Sequence, residues 1–251
     1  MKAPQRGIQS IEVGGALLRA LAHHGRALPL KELAAIAGMS PAKAHPYLVS
    51  FGKLGLIEQE ADSGRYGLGP LAMQLGLISL QQSDPVALAT PLIEPLAVRI
   101  GHTVAVAVWG NRGATIVRIA QPPSAVHVSM RHGTVMSLPR TASGRLFAAW
   151  LPAAVVRAAL ALERGNGRAA NAVSAAELQA IRDQGFSAVQ GLLLPGISAM
   201  AAPVFDGSGA LALSLTAIGP TPMFDERAAG TVAKPLLEAA AGLSARLGFR
   251  S

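Results

Sequence analysis

The segment from residue 28 to residue 69 constrains the fold of this chain more than any other. Apolar residues recur at helical spacing over 30–37, and Gly38 then supplies a tight turn. Ser40 is a favourable N-cap for a second helix, and Pro41 follows at the first helical position, where a missing N–H has no cost. These features predict a helix–turn–helix.

A short hairpin is predicted directly after the second helix. Residues 56–60 and 65–68 have strand-like composition, and the Asp-Ser-Gly sequence at 62–64 is typical of the turn between them. A helix–turn–helix followed by such a wing predicts a winged helix–turn–helix domain, whose second helix enters the major groove of DNA.

The face of the second helix that points away from its apolar residues carries basic side chains and no acid. The residues of this helix and of the wing predicted to contact DNA are Ser40, Ala42, Lys43, His45, Pro46, Tyr47, Ser50, Lys53 and Arg65. A helical hairpin that serves only protein contacts is the alternative interpretation, and the basic face favours DNA.

Charge and composition agree with a nucleic-acid partner. The chain has a net charge of +8, and residues 1–55 hold seven Lys or Arg against two Glu, as binding to the phosphate backbone requires. There is no cysteine among the 251 residues, which excludes disulfides and thiolate metal sites. The uncharged stretches 184–205 and 207–224 are broken by glycine and proline, and the N-terminus lacks an apolar signal segment. A cytoplasmic protein without a membrane partner is therefore expected.

Helices are predicted on both sides of the winged segment. Ser10 is expected to cap a first helix that runs to about Ala22, with Ile11, Leu18 and Leu21 on its core face. Pro70 opens a neutral apolar helix, and a polar stretch ending at residue 84 marks a domain boundary. The expected divisions are a winged domain over 1–69, a linker helix over 70–84 and a second domain over 85–251.

The second domain is expected to be α+β with a mostly antiparallel sheet, because hairpins and helices alternate along it. The predicted strands are 103–109, 114–119, 126–131, 186–190, 197–205 and 210–218. One predicted helix spans 86–100, where Pro91 and Pro95 lead us to expect a kink or two short turns. The other predicted helices are 143–150, 153–162 with a Gly/Asn/Arg loop after it, one opened by a Ser174–Glu177 capping box, and 225–247 bent at Pro235.

Catalytic chemistry is not indicated. Ser143 lacks the first glycine of a nucleophile elbow, and no strand leads tightly into it. His127 and His132 would point to opposite faces of a strand, so they cannot chelate one metal together. The glycines of the hairpin turns do not precede helices, which argues against a phosphate-binding loop. No enzyme activity, cofactor or metal is predicted.

The order and spacing of several short motifs resemble the IclR family of bacterial transcriptional regulators over nearly the whole chain. These motifs are Ser10-Ile11-Glu12, Ser63-Gly64-Arg65-Tyr66 continuing to Gly76, Leu138-Pro139, Thr141-Ala142-Ser143-Gly144-Arg145, Ile181 to Phe186, Pro195-Gly196 and Ala201 to Val204. The resemblance implies a winged helix–turn–helix, a linker helix and a GAF-like C-terminal domain that senses a small organic molecule. It also implies dimers, or dimers of dimers, on palindromic operators.

Two departures from the family pattern bear on specificity. Family members often carry a basic residue where this chain has Pro46, which is expected to kink the recognition helix or make it restart. The family also usually has acidic residues where this chain reads Leu-Leu-Leu at 192–194, and often a cysteine near Ser198 and Ala199. The resemblance therefore implies a pocket that is more apolar and less acidic than is usual.

The effector pocket implied by the resemblance lies between the sheet and the loops at 138–146 and 189–200. Its expected lining is Leu138, Thr141, Ala142, Ser143, Val189, Ile197, Ser198, Ala199, Met200, Ser214 and Thr216, with Leu192 and Phe147 as further apolar candidates. Arg131 or Arg140 could supply a counter-charge. A helix N-terminus beside an apolar wall favours a small, aromatic or otherwise hydrophobic carboxylate over a polar oxo-acid.

Three hypotheses follow from the sequence. The first is a DNA-binding transcriptional regulator controlled by a small carboxylate effector. The alternative is a GAF-like sensor whose winged helix mediates protein contacts and does not bind DNA. The third is a hydrolase with an accessory helical domain, which the missing catalytic motifs disfavour.

Overall fold

The computed structural model describes residues 7–82, 84–124, 127–165 and 173–250, which form two compact units, Met1–Ser83 and Asp84–Ser251. The elements of the first unit are α1 (Gln9–His24), α2 (Leu30–Ile36), α3 (Pro41–Lys53), β1 (Ile57–Gln59), β2 (Tyr66–Leu68) and α4 (Pro70–Gln82). Three helices enclose a small apolar core in which Leu17, Leu33 and Leu48 are at most 2% exposed. The predicted winged helix–turn–helix is confirmed.

The first helix begins earlier than predicted. Its N-cap is Ile8, which makes no side-chain capping hydrogen bond, so the prediction that Ser10 caps α1 is wrong. Ile11 is 67% exposed, whereas Leu17 and Leu21 are buried. Ile11 in the first turn of α1 therefore lies outside the core. A helical wheel gives the direction of a side chain and does not show whether a partner helix reaches it.

The second and third helices join as predicted. Gly38 adopts φ 70° in the turn, and the Ser40 hydroxyl accepts the Lys43 amide at 3.3 Å as the N-cap of α3. The helix is continuous from Pro41 to Lys53, so the predicted restart at Pro46 is wrong. Pro46 lies on the exposed side, where its ring points to solvent and its missing N–H affects a single helical hydrogen bond.

The wing is a two-stranded antiparallel hairpin in which Ile57 pairs with Leu68. Tyr66 also exchanges two backbone hydrogen bonds with Leu28, of 2.8 and 2.9 Å, which ties the wing to the segment between α1 and α2. A Cβ on Gly69 would lie 2.4 Å from the Gly55 carbonyl oxygen, so the close return of the chain into α4 requires glycine there.

The second unit is built on one five-stranded antiparallel sheet with the strand order β4-β3-β7-β6-β5. Its elements are α5 (Pro85–Ile100), β3 (Thr103–Gly110), β4 (Gly113–Ala120), α6 (Ala142–Trp150), α7 (Ala153–Gly165), α8 (Ala175–Gln184), β5 (Ser187–Gln190), β6 (Ile197–Phe205), β7 (Leu211–Pro220), a 3₁₀ turn (Thr221–Met223) and α9 (Ala233–Arg246). This architecture confirms the predicted α+β class.

Different helices cover the two faces of the sheet, and the side chains of each strand alternate between these faces. On β6, Met200 and Val204 face the core formed with α5 and α9, whereas Ala199 and Ala201 face α6. The alternation follows from the two-residue period of a strand. It divides the predicted effector residues of β6 between two separate cores.

Three predicted elements of the second unit are wrong in part. Helix α5 runs unbroken through Pro91 and Pro95, which contradicts the expectation of two short turns, and the Asp84 carboxylate accepts two amides of its first turn. The described residues of the predicted strand 126–131 have no strand structure; a bridge between Thr115 and Val135 takes the position beside β4. The last helix starts at residue 233, because the first turn is where Pro235 is tolerated.

The remaining strands and helices agree with prediction to within a few residues. The Ser174–Glu177 capping box is present, and Gly185 ends α8 at φ 76°. Val126 and the Gly/Asn/Arg loop at 166–172 lie outside the described residues. Across the described part of the chain, every helix is too short or too polar to cross a membrane.

Candidate DNA interface and effector cavity

The N-terminal unit presents the predicted DNA-contact residues on the outer face of α3. Lys43, His45 and Lys53 are exposed there, and no acidic side chain belongs to this helix. The Ser50 hydroxyl donates to the Pro46 carbonyl oxygen at 2.9 Å, so it is already partly satisfied within the helix. The capped N-terminus at Ser40 and the basic groups together favour contacts with phosphate.

Tyr47 and Val49 differ from the predicted distribution of side chains. Tyr47 is half-buried and packs against the core of the first unit, close to Gly14, so its ring is not on the outer face. Val49 was not among the predicted contacts, yet it is 44% exposed on that face. Its spacing of seven residues from Ala42 could have identified it.

Arg65 stands at the end of the wing turn and is exposed. Its backbone amide donates to the Ser63 hydroxyl at 3.1 Å, and its carbonyl oxygen accepts the Glu60 amide at 2.8 Å. The backbone at Arg65 is therefore fixed while the guanidinium extends to solvent, as a phosphate or minor-groove contact requires.

The C-terminal unit encloses a cavity of about 110 Å³ between α6, the sheet and the loop after β5. Seven predicted effector residues from four separate segments meet there: Thr141, Ala142, Ser143, Val189, Ile197, Ala199 and Thr216. The other lining residues are Val128, Ser129, Met130, Met136, Arg140, Leu193, Leu194 and Ile218. We refer to this space, a candidate site for an effector, as the effector cavity.

The N-terminus of α6 forms one end of the effector cavity. Thr141 is its N-cap: the Thr141 hydroxyl accepts the Gly144 amide at 3.0 Å and donates to the Ser137 carbonyl oxygen at 2.7 Å. Within the described residues, the amides of Ala142 and Ser143 have no acceptor. These two N–H groups and the helix dipole make this end of the cavity suitable for an anion.

Gly144 allows the loop before α6 to approach the helix closely. A Cβ at this position would lie 2.2 Å from the Ser137 carbonyl oxygen and 2.7 Å from Cα of Leu138. Both of those atoms belong to backbone, which cannot move aside without displacing the helix cap. The Ser143-Gly144 pair is therefore explained by the position of the helix N-terminus and does not indicate a catalytic serine.

Few polar groups reach the effector cavity. Ser143 Oγ and Thr216 Oγ1 are 2.8 Å apart, with Ser143 0% and Thr216 1% exposed. Arg140 is the single ionisable residue among the described lining residues, and none of these is an acid. The remaining wall is largely valine, leucine, isoleucine, methionine and alanine, which favours an apolar ligand body beside an anionic group.

The loop at residues 191–196, here called the leucine loop, covers the cavity beside Arg140. The Arg140 guanidinium donates from Nε to the Leu192 carbonyl oxygen at 2.9 Å and from Nη2 to the Leu193 carbonyl oxygen at 3.3 Å. Leu192 and Leu194 are 42% and 55% exposed. Both Arg140 and Arg131 are exposed, but only Arg140 is tied to the loop that closes the cavity and belongs to its lining.

Four predicted effector residues do not line this cavity. Ser198 and Met200 point to the opposite face of β6, where the Ser198 hydroxyl contacts Thr221 and Glu226. Ser214 is fully buried, with its hydroxyl 3.5 Å from that of Thr216. Leu138 packs against α6 and α7 and lines a separate, larger cleft of about 640 Å³ that also contains Glu163. Side chains alternate between the two faces of a strand, so this alternation could have shown that Ser198 and Met200 face away from the cavity that Ala199 lines.

Other residues of the site were outside the sequence prediction. Ile218 follows Thr216 by two positions on β7, so strand period could have found it. Val128 and Met130 come from an irregular segment that was predicted as a strand. Phe147, a further apolar candidate in the sequence, is fully buried against Trp109 and belongs to the core.

Comparison with known proteins identifies both units. The model of the IclR helix–turn–helix domain matches residues 10–61, and the model of the bacterial transcriptional regulator IclR C-terminal domain matches residues 78–245. The crystal structure of Pseudomonas aeruginosa HmgR is similar with a TM-score of 0.90 and 38% identity, covering 97% of this chain and 100% of HmgR.

Curated relatives agree with these matches. The chain is 31% identical over 204 residues to the Glycerol operon regulatory protein of Streptomyces coelicolor, which covers 80% of each protein. It is 26% identical over 222 residues to the HTH-type transcriptional regulator BhcR of Paracoccus denitrificans, covering 86% of this chain and 80% of BhcR. With a winged helix–turn–helix in one unit and the matching effector domain in the other, this chain belongs to the IclR family of DNA-binding bacterial transcriptional regulators.

Proposed function

We propose that this regulator binds a small aromatic carboxylic acid in the effector cavity, and that the acid controls its affinity for a palindromic operator. The observation that carries the proposal is the convergence of the α6 N-terminus, Arg140 and an apolar wall on one cavity without an acid. A carboxylate accepts the free Ala142 and Ser143 amides, and the ring lies against the apolar wall. A polar oxo-acid of two or three carbons would place its keto oxygen against a wall with few hydrogen-bonding groups, which costs free energy.

The size of the cavity limits the ligand to one small molecule. Its volume is about 110 Å³, and a cavity that holds benzene measures ~150 Å³. A benzoate-sized acid therefore requires the leucine loop to move outward by a small amount. An acid that fits only when the loop has moved outward binds that conformation more tightly than the closed one. This difference in affinity is what allows a ligand to shift a conformational equilibrium.

Assembly and cellular location are parts of the same proposal. The α4 helix exposes Met73, Leu75, Leu77 and Ile78 by 40 to 67%. Covering these side chains in a homodimer, or in a dimer of dimers, would stabilise the assembly by ~25 cal/mol per Å² of apolar surface buried. Two recognition helices related by a two-fold axis then fit two inverted half-sites. The protein acts in the cytoplasm, where the operator DNA is.

Titration calorimetry with the purified protein tests the ligand class. We expect benzoate to bind, and benzyl alcohol, which retains the ring and lacks the carboxylate, to bind at least tenfold more weakly. Pyruvate and glyoxylate are the competing class. Binding of these oxo-acids without binding of any aromatic acid would overturn the proposed effector class.

A further inference from the structure

The centre of the exposed face of α3 is apolar. With about 100° between successive residues, Ala42, Pro46 and Val49 lie within an arc of roughly 60° on the side opposite the buried Ala44 and Leu48. All three are exposed, Val49 by 44%. We name these three residues the apolar strip of α3.

Hydrogen-bonding side chains stand beside this strip or beyond its end. His45 and Ser50 lie on either side of it, and Lys53 shares its direction at the last position of the helix. The N-terminal part of a recognition helix contacts base edges, and Lys53 is the last residue of α3. The groups that meet the bases first are therefore methyl and methylene groups, which cannot form the bidentate hydrogen bonds that read guanine or adenine.

We propose that the apolar strip of α3 reads the C5-methyl groups of thymines in each operator half-site. Thymine is the one base that presents a methyl group in the major groove, and apolar side chains are its recognised partners there. The basic residues that flank the strip hold the helix against phosphates and contribute affinity without base choice. This proposal rests on the proposed operator binding and adds to it the chemical feature that is read.

The test needs an operator, which selection from a random duplex library with the full-length protein provides. In the selected duplex, each thymine is then replaced in turn by deoxyuridine, which lacks the methyl group and keeps every hydrogen-bonding atom. We expect a loss of affinity of about fourfold per contacted methyl, the transfer free energy of one buried carbon group. Replacing a sensitive T·A pair by 5-methylcytosine·G should preserve more affinity than replacing it by unmethylated C·G.

Variants of Val49 connect the effect to the strip. Val49→Ala should abolish the deoxyuridine sensitivity at one position per half-site, and Val49→Thr, which keeps one methyl group, should retain part of it. Val98→Ala is the matched control, because Val98 is 59% exposed on a helix of the C-terminal unit. It should leave the sensitivity unchanged.

The outcomes separate the reading of methyl groups from operator binding itself. If the library yields an operator and deoxyuridine is tolerated at all of its thymines, reading of methyl groups by the strip is refuted while operator binding stands. The same conclusion follows if Val49→Ala shows the sensitivity of the parent protein at every position. Failure to enrich any sequence would overturn the proposed operator binding, and the reading of methyl groups with it.

Discussion

The side-chain oxygens of Ser143 and Thr216 lie 2.8 Å apart, joining the first turn of α6 to the central region of β7. Both residues are almost completely buried, and both line the effector cavity. This hydrogen bond therefore fixes the helix N-terminus relative to the sheet that forms the floor of the cavity. The proposed binding of an anion at the Ala142 and Ser143 amides would depend on that position.

Replacing Thr216 by valine should weaken both the fold and the effector site. The Ser143 hydroxyl would lose its partner in a buried place, which costs about 1–3 kcal/mol in the free energy of unfolding of the C-terminal unit. We expect weaker binding of benzoate in calorimetry as well. Ser187→Ala is the control, since Ser187 is fully buried on β5, does not line the cavity, and has a hydroxyl without a hydrogen-bond partner among the described residues. Equal loss of benzoate affinity in both variants would argue against the assigned cavity.

Lys43 and Arg65 should contribute to DNA binding through phosphates. Each replacement by alanine should weaken operator binding and reduce the slope of log K against log salt by about one unit. Fluorescence anisotropy across a salt series measures the slope, with Arg246→Ala of the C-terminal unit as the control. An unchanged slope in both Lys43→Ala and Arg65→Ala would remove these residues from the interface.

Local signals in the sequence were sufficient for most of the fold. The Ser40 cap, the Gly38 turn and the Ser174–Glu177 capping box each depend on neighbours within a few positions, and each is present in the structure. Pro91 shows the limit of such signals. Whether a helix tolerates an internal proline depends on how the whole helix packs on its sheet, and α5 remains continuous over its full 16 residues.

The effector cavity was predictable only in part, because its walls come from distant segments. The motif at 141–143 and the apolar residues of β5 and β6 pointed to it. Ser198 and Met200 were assigned to the cavity because the prediction included four consecutive residues of β6. In a strand, only every second residue points to the same face of the sheet. Arg140 was one of two candidate counter-charges. Arg140 is distinguished from Arg131 by its hydrogen bonds to the leucine loop. These bonds join residues that are far apart in the sequence, so local patterns do not predict them.

Removing the apolar stripe of α4 should change the oligomeric state. Leu75 and Ile78 are 52% and 40% exposed, and they lie on one side of the helix with Leu71. The double replacement of Leu75 and Ile78 by glutamate should convert a homodimer into monomers in sedimentation velocity at micromolar concentration. Gln74→Glu adds one negative charge to the same helix, half of what the double variant adds, and should leave the dimer intact. A parent protein that sediments as a monomer would contradict the proposed assembly.

The α8 capping box should make stability depend on pH in the acid range. Hydrogen bonds from the Ser174 amide and hydroxyl, with Arg145 beside them, lower the pKa of Glu177 to about 2 from 4.5. A carboxyl whose pKa is depressed by folding stabilises the protein above its unfolded pKa and loses that contribution as pH falls through the folded value. The stability difference between the parent protein and Glu177→Gln should therefore shrink between about pH 4.5 and pH 2.

Urea unfolding of both proteins at pH 6 and at pH 3 measures this difference. Comparison with Glu177→Gln separates Glu177 from Asp225, whose pKa is also held low, mainly by its hydrogen bond with the Arg227 side chain. A difference that stays constant over this range would show that the Glu177 carboxylate is not preferentially stabilised in the folded protein.

The coupling of effector to operator is measured most directly by fluorescence anisotropy of the selected operator with and without ligand. Saturating benzoate should change the operator dissociation constant by about fivefold or more, as a coupling free energy of at least 1 kcal/mol requires. Pyruvate and glyoxylate at the same concentration should leave it unchanged. An operator affinity that responds to pyruvate or glyoxylate and is indifferent to aromatic acids would contradict the account.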